Sequence, residues 1–372
     1  MTDRGRALAV LRYQPYDRLP VVHFGFWIET LEKWRREGHL GATDLEDYAD
    51  GRPSERAVER KLGFDFNWYD TWSPRHSRAP LFEETVLEEL PDGFHRVRDE
   101  NGAIVIKKPG IRSIPSEVDH LFKGRKEWEE LYRPKLLWSA DRVDRSTMPA
   151  AAFDAGRTRP LGLHCGSLLG KIRDWIGLVG LSYLQADDPA LFDEIIETVG
   201  VLCLRCTEAA LATGARFDFA HFWEDICFRG GPLVNPAVFD AKVGPWYRRI
   251  TEATRRHGLD ICSLDCDGQI DSLIPTWIAN GVNTMFPIEV GTWNASIAPW
   301  RARFGRQLLG VGGMDKRVFA HGRDAVDREV ERLRPLVDLG GFIPCPDHRI
   351  PPDAEWDTVR YYTDRMRAVF GG

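Results

Sequence analysis

The feature that most constrains this chain is a repeated unit in which a short apolar run ends in a polar tip and a helical pattern follows. The last third shows it most plainly, in Ile261-Cys262-Ser263-Leu264-Asp265-Cys266-Asp267-Gly268, in Leu308-Leu309-Gly310-Val311-Gly312-Gly313-Met314-Asp315-Lys316 and in Gly341-Phe342-Ile343-Pro344-Cys345-Pro346-Asp347-His348. Each reads as a buried parallel strand whose C-terminal end delivers carboxylates, a thiol or an imidazole to one place.

The same unit recurs upstream. A short helix over Arg6–Leu11 precedes a first strand, Leu19–Phe26, and a helix from Trp27; a second strand covers Phe64–Tyr69. Between 81 and 108 the period changes to β alternation, broken by the turn signals Pro91-Asp92-Gly93 and Asn101-Gly102, which predicts an inserted hairpin. Residues 114 to 134 read as helix, with Ser113 or Ser116 as cap, and the charged stretch Arg142 to Arg145 and the small residues 149 to 152 as surface linker. Strands three and four are Leu161–Gly166 and Phe217–Asp225, with helices at 168 to 177 and 188 to 212 between them. Asn235-Pro236 starts a helix whose buried stripe is Phe239, Val243, Tyr247 and Ile250. Strand five ends at Asp265, strand six is Thr284–Glu289, strand seven ends at Met314 and strand eight near Cys345, before a final helix from Glu355 to Phe370.

Eight strands, most of them separated by helices, predict an α/β fold. The expected form is a (β/α)8 TIM barrel with an N-terminal helical extension and an inserted β-hairpin around 81–108, forming a single domain over 1–372. The rival is a doubly wound sheet, which would gather its active residues at one switch point instead of at many strand ends.

Composition bounds the partners. With 43% apolar residues in 372, the chain can bury a large core, and a formal charge of -6 with mixed signs leaves no basic stripe for nucleic acid and no polybasic anchor for a membrane. The opening Met1-Thr2-Asp3-Arg4-Gly5-Arg6 lacks the layout of a secretion signal, so the cytoplasm and a small-molecule partner are expected, with a homodimer left open. Seven cysteines, an odd number, are read as thiols, and Cys203 and Cys206 as helix core.

If the strands close a barrel, their ends meet at one mouth carrying His23, His164, Cys165, Glu224, Asp225, Asp265, Cys266, Asp267, Glu289, Asp315, Cys345, Asp347 and His348. Clustered carboxylates with imidazoles suit proton transfer or a divalent metal. Asp265, Asp267, Glu224 and His348 are the catalytic candidates; His23, Trp27, His164, Trp223, Glu289, Asp315 and Asp347 are the substrate-binding ones. The plainer reading of Asp267, Asp315 and Asp347 is helix capping. Gly310-Val311-Gly312-Gly313 lacks the spacing of a phosphate loop and is read as a tight turn. Phe24, Phe26, Trp27, Trp68, Tyr69, Trp72 and Trp223 floor an apolar pocket or are ordinary core.

The chain resembles the uroporphyrinogen decarboxylase superfamily, which includes the cobalamin-linked methyltransferases. The resemblance covers nearly the whole length and rests on Tyr16-Asp17-Arg18-Leu19-Pro20-Val21, on Leu264 to Ile270, on Gly312 to Lys316, and on Gly340 to Pro344 with Asp347-His348-Arg349-Ile350-Pro351-Pro352. True decarboxylases of the family carry an Arg-rich loop after the first strand, where this chain reads Phe24-Gly25-Phe26-Trp27-Ile28-Glu29-Thr30, so an acid-rich macrocycle would lack its guanidinium partners. The methyltransferase branch binds zinc through His-x-Cys after strand five and a later Cys; here the first motif is replaced by Asp265-Cys266-Asp267, and Cys345 supplies a later thiol.

The resemblance implies a methyltransferase moving a methyl group between a small methylated compound and a corrinoid carried on a separate protein. Zinc is expected at Cys266, Cys345 and Glu224, with His348 nearby; the alternative is that both cysteines simply pack beneath the loops. A cofactor-independent decarboxylase of a carboxylated tetrapyrrole or aromatic is the second reading. A non-catalytic ligand-binding barrel is the third.

Overall fold

The computed structural model describes residues 1–109 and 115–371. Seven parallel strands form the main sheet: β3 (Thr71–Trp72), β8 (Gly162–His164), β9 (Phe219–Trp223), β12 (Cys262–Asp265), β13 (Thr284–Phe286), β14 (Leu309–Met314) and β15 (Phe342–Pro346). Their order across it is β15-β14-β13-β12-β9-β8-β3. Because all run the same way, their C-terminal ends share one rim. Helices such as Pro189–Ala212, Gly244–Arg256 and Arg323–Val337 link successive strands, and their apolar stripes are buried as their spacing predicts, including Phe239, Val243, Tyr247 and Ile250.

A separate parallel pair, β1 (Val22–His23) with β2 (Phe66–Asn67), lies beside the two edges of that sheet. The chain passes from β2 through Trp68 and Asp70 directly into β3, while the continuation of β1 bridges Phe26 to Ile350, just past β15. Inside the curve, Trp68 stacks on Phe219 at 4.3 Å and donates from its indole to the Ser263 hydroxyl at 3.1 Å. The predicted α/β alternation is present, with the second strand split in two.

The insertion is larger than the expected hairpin. Strands β4 (Thr85–Glu89), β5 (His95–Arg98), β6 (Ala103–Lys107) and β7 (Ser116–His120) make a four-stranded antiparallel sheet around Val97, Ala103 and Val105, with turns at both Gly-containing signals. Residues 116–120 are therefore strand where helix was expected: as an edge strand they pair on one side only and expose nearly every side chain, so no apolar alternation marks them. Ser113, the other expected cap, lies outside the described residues, and Ser116 opens a strand. The turn Cys227–Phe228 with Gly231–Pro232, forming β10 and β11, was also not anticipated. No described helix is long and apolar enough to cross a membrane.

Asp65 ties the two ends of the chain to the sheet. It accepts from the Arg18 guanidinium at 2.6 and 2.9 Å, from the Val21 amide at 2.8 Å and from Arg367 of the final helix at 3.0 Å. Burial opposes its charge, yet the Arg18 and Val21 hydrogen bonds with the two guanidinium charges outweigh it and hold the carboxyl below its ordinary value. Asp65→Asn is expected to cost about 3 kcal/mol of unfolding free energy, as for removing one partner of a buried pair. Because the folded carboxyl is the stronger acid, its contribution is present above the unfolded value near 4 and is lost as pH falls through the folded one. Urea titrations of both proteins across that range are expected to converge at low pH.

Candidate functional site

The site begins at the ends of β9 and β12. Asp265 closes β12 and faces Trp223 of β9 in register; Asp225 follows two residues after Trp223. Carboxylate oxygens from Asp225, Asp265 and Asp267 all lie within 4.8 Å of one another. The backbone holds them there: Asp225 adopts a left-handed φ of 46°, a conformation Asp tolerates better than most residues, and its Oδ1 accepts from the Asp267 amide at 3.0 Å. The next amide, Gly268, donates to Glu289 Oε2 at 2.6 Å, which brings a fourth carboxylate alongside.

Burial and the neighbouring charges weaken Asp225, Asp265 and Glu289 as acids. Burial first, then the Asp267 charge, pushes the Asp225 carboxyl up to about 7. Burial and the Asp225 and Asp267 charges hold Asp265 well above the carboxylate range, with Arg349 opposing them. Glu289 is raised by burial and by Asp267. One oxygen of Asp267 is buried without a partner, while the other pairs with His348 Nε2 at 3.3 Å. The His348 ring stacks on Trp27 at 5.5 Å and meets Phe24, tilted, at 5.4 Å. Arg349, next in sequence, is bound by Asp50 at 2.5 and 3.1 Å.

Asp265, Asp267, His348, Trp27 and Glu289, all singled out from sequence, thus come together around Asp225. Others do different work. Glu224 is fully buried and accepts from the amides of Leu168, Leu169 and Gly170 and from the hydroxyls of Ser167 and Tyr247, so both its oxygens are committed to holding the start of the helix Gly170–Ile176. Asp347 accepts from the amides of Gly291 and Lys316, and Asp315 accepts from the Arg317 amide and guanidinium, as helix-capping aspartates do. His23 is buried against Glu59 at 3.0 Å, within a second acid group that includes Glu55. Trp223 lies beneath the Lys171 ammonium at 4.5 Å. His164 pairs with His76 at 3.1 Å and stands edge-on to His221, a residue whose place mid-strand among aromatics gives no signal in the sequence.

The expected zinc set of Cys266, Cys345 and Glu224 is not assembled. Among the described residues, the groups able to share one ion are Asp225 with Asp265 and Asp267, and His23 with Glu55 and Glu59. The Cys266 thiol is buried and directed at the Asp267 carbonyl, and burial holds both Cys266 and Cys345 well above the ordinary thiol range. Cys203 and Cys206 are core, as their helical spacing predicts. The glycines of β14 serve close approach: a Cβ on Gly312 would stand 1.5 Å from the Pro287 carbonyl, whose oxygen accepts from Gly313 at 2.9 Å. That contact packs β14 against the turn leading to Glu289.

No protein-family profile matches the chain, and no curated protein does. Among solved structures it is similar to a methyltransferase from Methanosarcina mazei, with 13% identity, 99% of each chain covered and a TM-score of 0.60. It is also similar, at a TM-score of 0.39, to a protein described as a candidate vitamin-B12 independent methionine synthase from Listeria monocytogenes, with 14% identity over 96% of this chain and 99% of that one. The first likeness shows a shared fold.

Glu224→Ala is expected to lower unfolding free energy by about 3 kcal/mol, since it leaves buried amides without acceptors. Glu224→Gln, which keeps an acceptor oxygen, is expected to lose less. Glu224→Gln is not expected to alter divalent-cation affinity by more than about threefold, a margin below 1 kcal/mol; calorimetric titration with Mn2+ checks this.

Proposed function

We propose that this protein is a (β/α)8-barrel methyltransferase of the uroporphyrinogen decarboxylase-like type, in which Asp225, Asp265 and Asp267 hold a divalent cation at the mouth. The barrel is read by counting β2 and β3 as one strand and letting β1 close the gap beside β15. The observation that carries the functional reading is the carboxylate trio within 4.8 Å, with one unpartnered oxygen on Asp267. A like-charged, partly buried group of this kind is relieved by protons or by a cation, and the oxygen donors with His348 beside them fit a hard or borderline ion, zinc included, better than a thiolate-bound one.

A bound divalent ion would supply Lewis-acid polarisation of the methyl-bearing heteroatom. The chain's own residues do the rest. Asp265, deepest of the three, fixes the cation's place. Asp267 holds His348 Nε2 at 3.3 Å, so that imidazole can give a proton to the departing heteroatom or take one from an acceptor. Phe24, Trp27 and Phe286 wall the reacting end and exclude water. The methyl carrier in this reading is a corrinoid on a separate cytoplasmic protein.

One cation per chain is expected by elemental analysis after equilibration with Zn2+ or Mn2+, with affinity falling at least about tenfold, or 1.4 kcal/mol, in Asp265→Asn and in Asp267→Asn and unchanged in Cys266→Ser and Cys345→Ser. Loaded enzyme with reduced cobalamin and a panel of methylated ethers and amines is expected to yield methyl-cobalamin. No methyl-cobalamin from any donor, together with carbon dioxide release by metal-free protein from a carboxylated aromatic, would transfer the assignment to decarboxylation. There the raised carboxyl of Asp225 would deliver the replacing proton.

A further inference from the structure

Strand β7 is the outer strand of the inserted sheet. It pairs with β6 on one side and with no described strand on the other, so its outer edge carries unpaired backbone donors and acceptors. A groove of about 620 Å3 runs along that edge. The consecutive residues Glu117 to His120 all line it, and because side chains alternate across a strand, a cavity touched by all of them follows the edge and not one face. The opposite wall is the helix Leu178–Asp187, which presents Val179, Gly180, Tyr183 and Asp187 on one side. Both walls leave apolar surface in the open. Val179 and Tyr183 are 67% and 65% exposed while Leu181 and Leu184 of the same helix are buried, and Val118 of the strand is 46% exposed. Single exposed apolar side chains are ordinary, but here they gather on both walls of a groove beside an open strand edge, and such a patch marks an interaction site.

The charges on the walls select the occupant. Lys123 pairs with Asp119, and Arg125 is shared among Glu129, Asp188 and Glu194. Glu117 on the strand wall has the His120 imidazole at 3.6 Å and no lysine or arginine ion pair among the described residues. Asp187 on the helix wall is exposed and stands at the helix C-terminus, where the unpaired carbonyls add negative potential. Cationic side chains are therefore favoured on both walls. A second copy of this chain does not fit the groove: its own β7 would set Glu117 and Asp119 against the same residues, and its other edge strand, β4, carries Glu88 and Glu89.

We propose that this groove binds an extended segment of a partner protein, in which lysine or arginine alternates with apolar residues, by adding it as a further strand against β7. Main-chain hydrogen bonds to the open edge hold the segment, its basic side chains meet Glu117 and Asp187, and its apolar ones cover Val118, Val179 and Tyr183. The inserted sheet follows β3 and the helix Leu178–Asp187 follows β8, so the groove is built from segments that leave the C-terminal ends of those strands, the rim that carries the carboxylates. The inference does not depend on what those carboxylates do.

The probes are fluorescently labelled peptides of about seven residues, enough to span β7 at about 3.3 Å per residue, in which Lys or Arg alternates with Val, Ile or Tyr. Each has a control of the same composition with its basic residues grouped at one end. Anisotropy titrations of the whole protein are expected to show saturable binding by an alternating peptide, at least about tenfold tighter than its control. Asp187→Lys and Tyr183→Ser, both at exposed positions, are each expected to weaken that binding at least about fivefold. Hydrogen exchange in the wild type, which does not depend on a variant folding, is expected to slow over 116–120 with the alternating peptide and not with its control. Controls that bind as tightly as the alternating peptides, which is charge attraction alone, no saturable binding by any peptide, unmoved exchange at 116–120, or full affinity in either variant would each overturn the proposal. Concentration-dependent dimerisation in sedimentation that itself protects 116–120 would also overturn it, by giving the groove to a second copy.

Discussion

Repulsion among Asp225, Asp265 and Asp267 is the constraint around which the rim is built. Two unit charges 4.8 Å apart at an effective dielectric of 20 repel by about 3–4 kcal/mol, and burial adds the cost of lost hydration. Such a cluster persists only if the backbone leaves it no alternative. The left-handed turn at Asp225, the amide of Asp267 donating to Asp225 and the amide of Gly268 donating to Glu289 remove the freedom of these groups to separate. The weakened acidity of Asp225 and Asp265 that results favours a bound proton or cation at the cluster, and either state would serve the transfer chemistry proposed above.

The surrounding carboxylates make that rigidity possible without joining the chemistry. Glu224, adjacent to Asp225, gathers the amides at the start of the helix Gly170–Ile176 and so fixes the end of β9 from the outside. Asp347 joins the Gly291 and Lys316 amides, tying the segments after β13 and β14 to the one after β15. Gly312, pressed on the Pro287 carbonyl, seats β14 against the turn that presents Glu289. Two acids and a glycine thus act as fasteners around the carboxylate cluster.

Much of this architecture is legible in the order of the amino acids. Buried parallel strands are continuous apolar runs with polar tips, so the eight strand positions, the helical stripe from Phe239 to Ile250 and the acids at the strand ends can be read directly. The division of labour among those acids cannot. Whether Glu224 or Asp225 joins the carboxylate cluster depends on the left-handed φ of Asp225 and on which side of the sheet each points, and neighbouring letters carry neither. The cysteines mislead for a related reason: thiols at strand ends look like ligands, yet burial without a cation neighbour makes Cys266 and Cys345 small apolar packing groups. Strand Ser116–His120 escapes notice because an exposed edge strand has no apolar face to betray it, and His221 because an imidazole between Phe219 and Trp223 reads as core.

The central claim is that the trio is a cation site at the mouth. Its most direct test is anomalous diffraction from crystals soaked in Mn2+. The expected result is one strong peak at about 2.0–2.3 Å from carboxylate oxygens of Asp225, Asp265 and Asp267, the range of metal–carboxylate bonds. A peak confined to His23, Glu55 and Glu59, or on the Cys266 and Cys345 thiols, with the trio bare in well-ordered density, would contradict it.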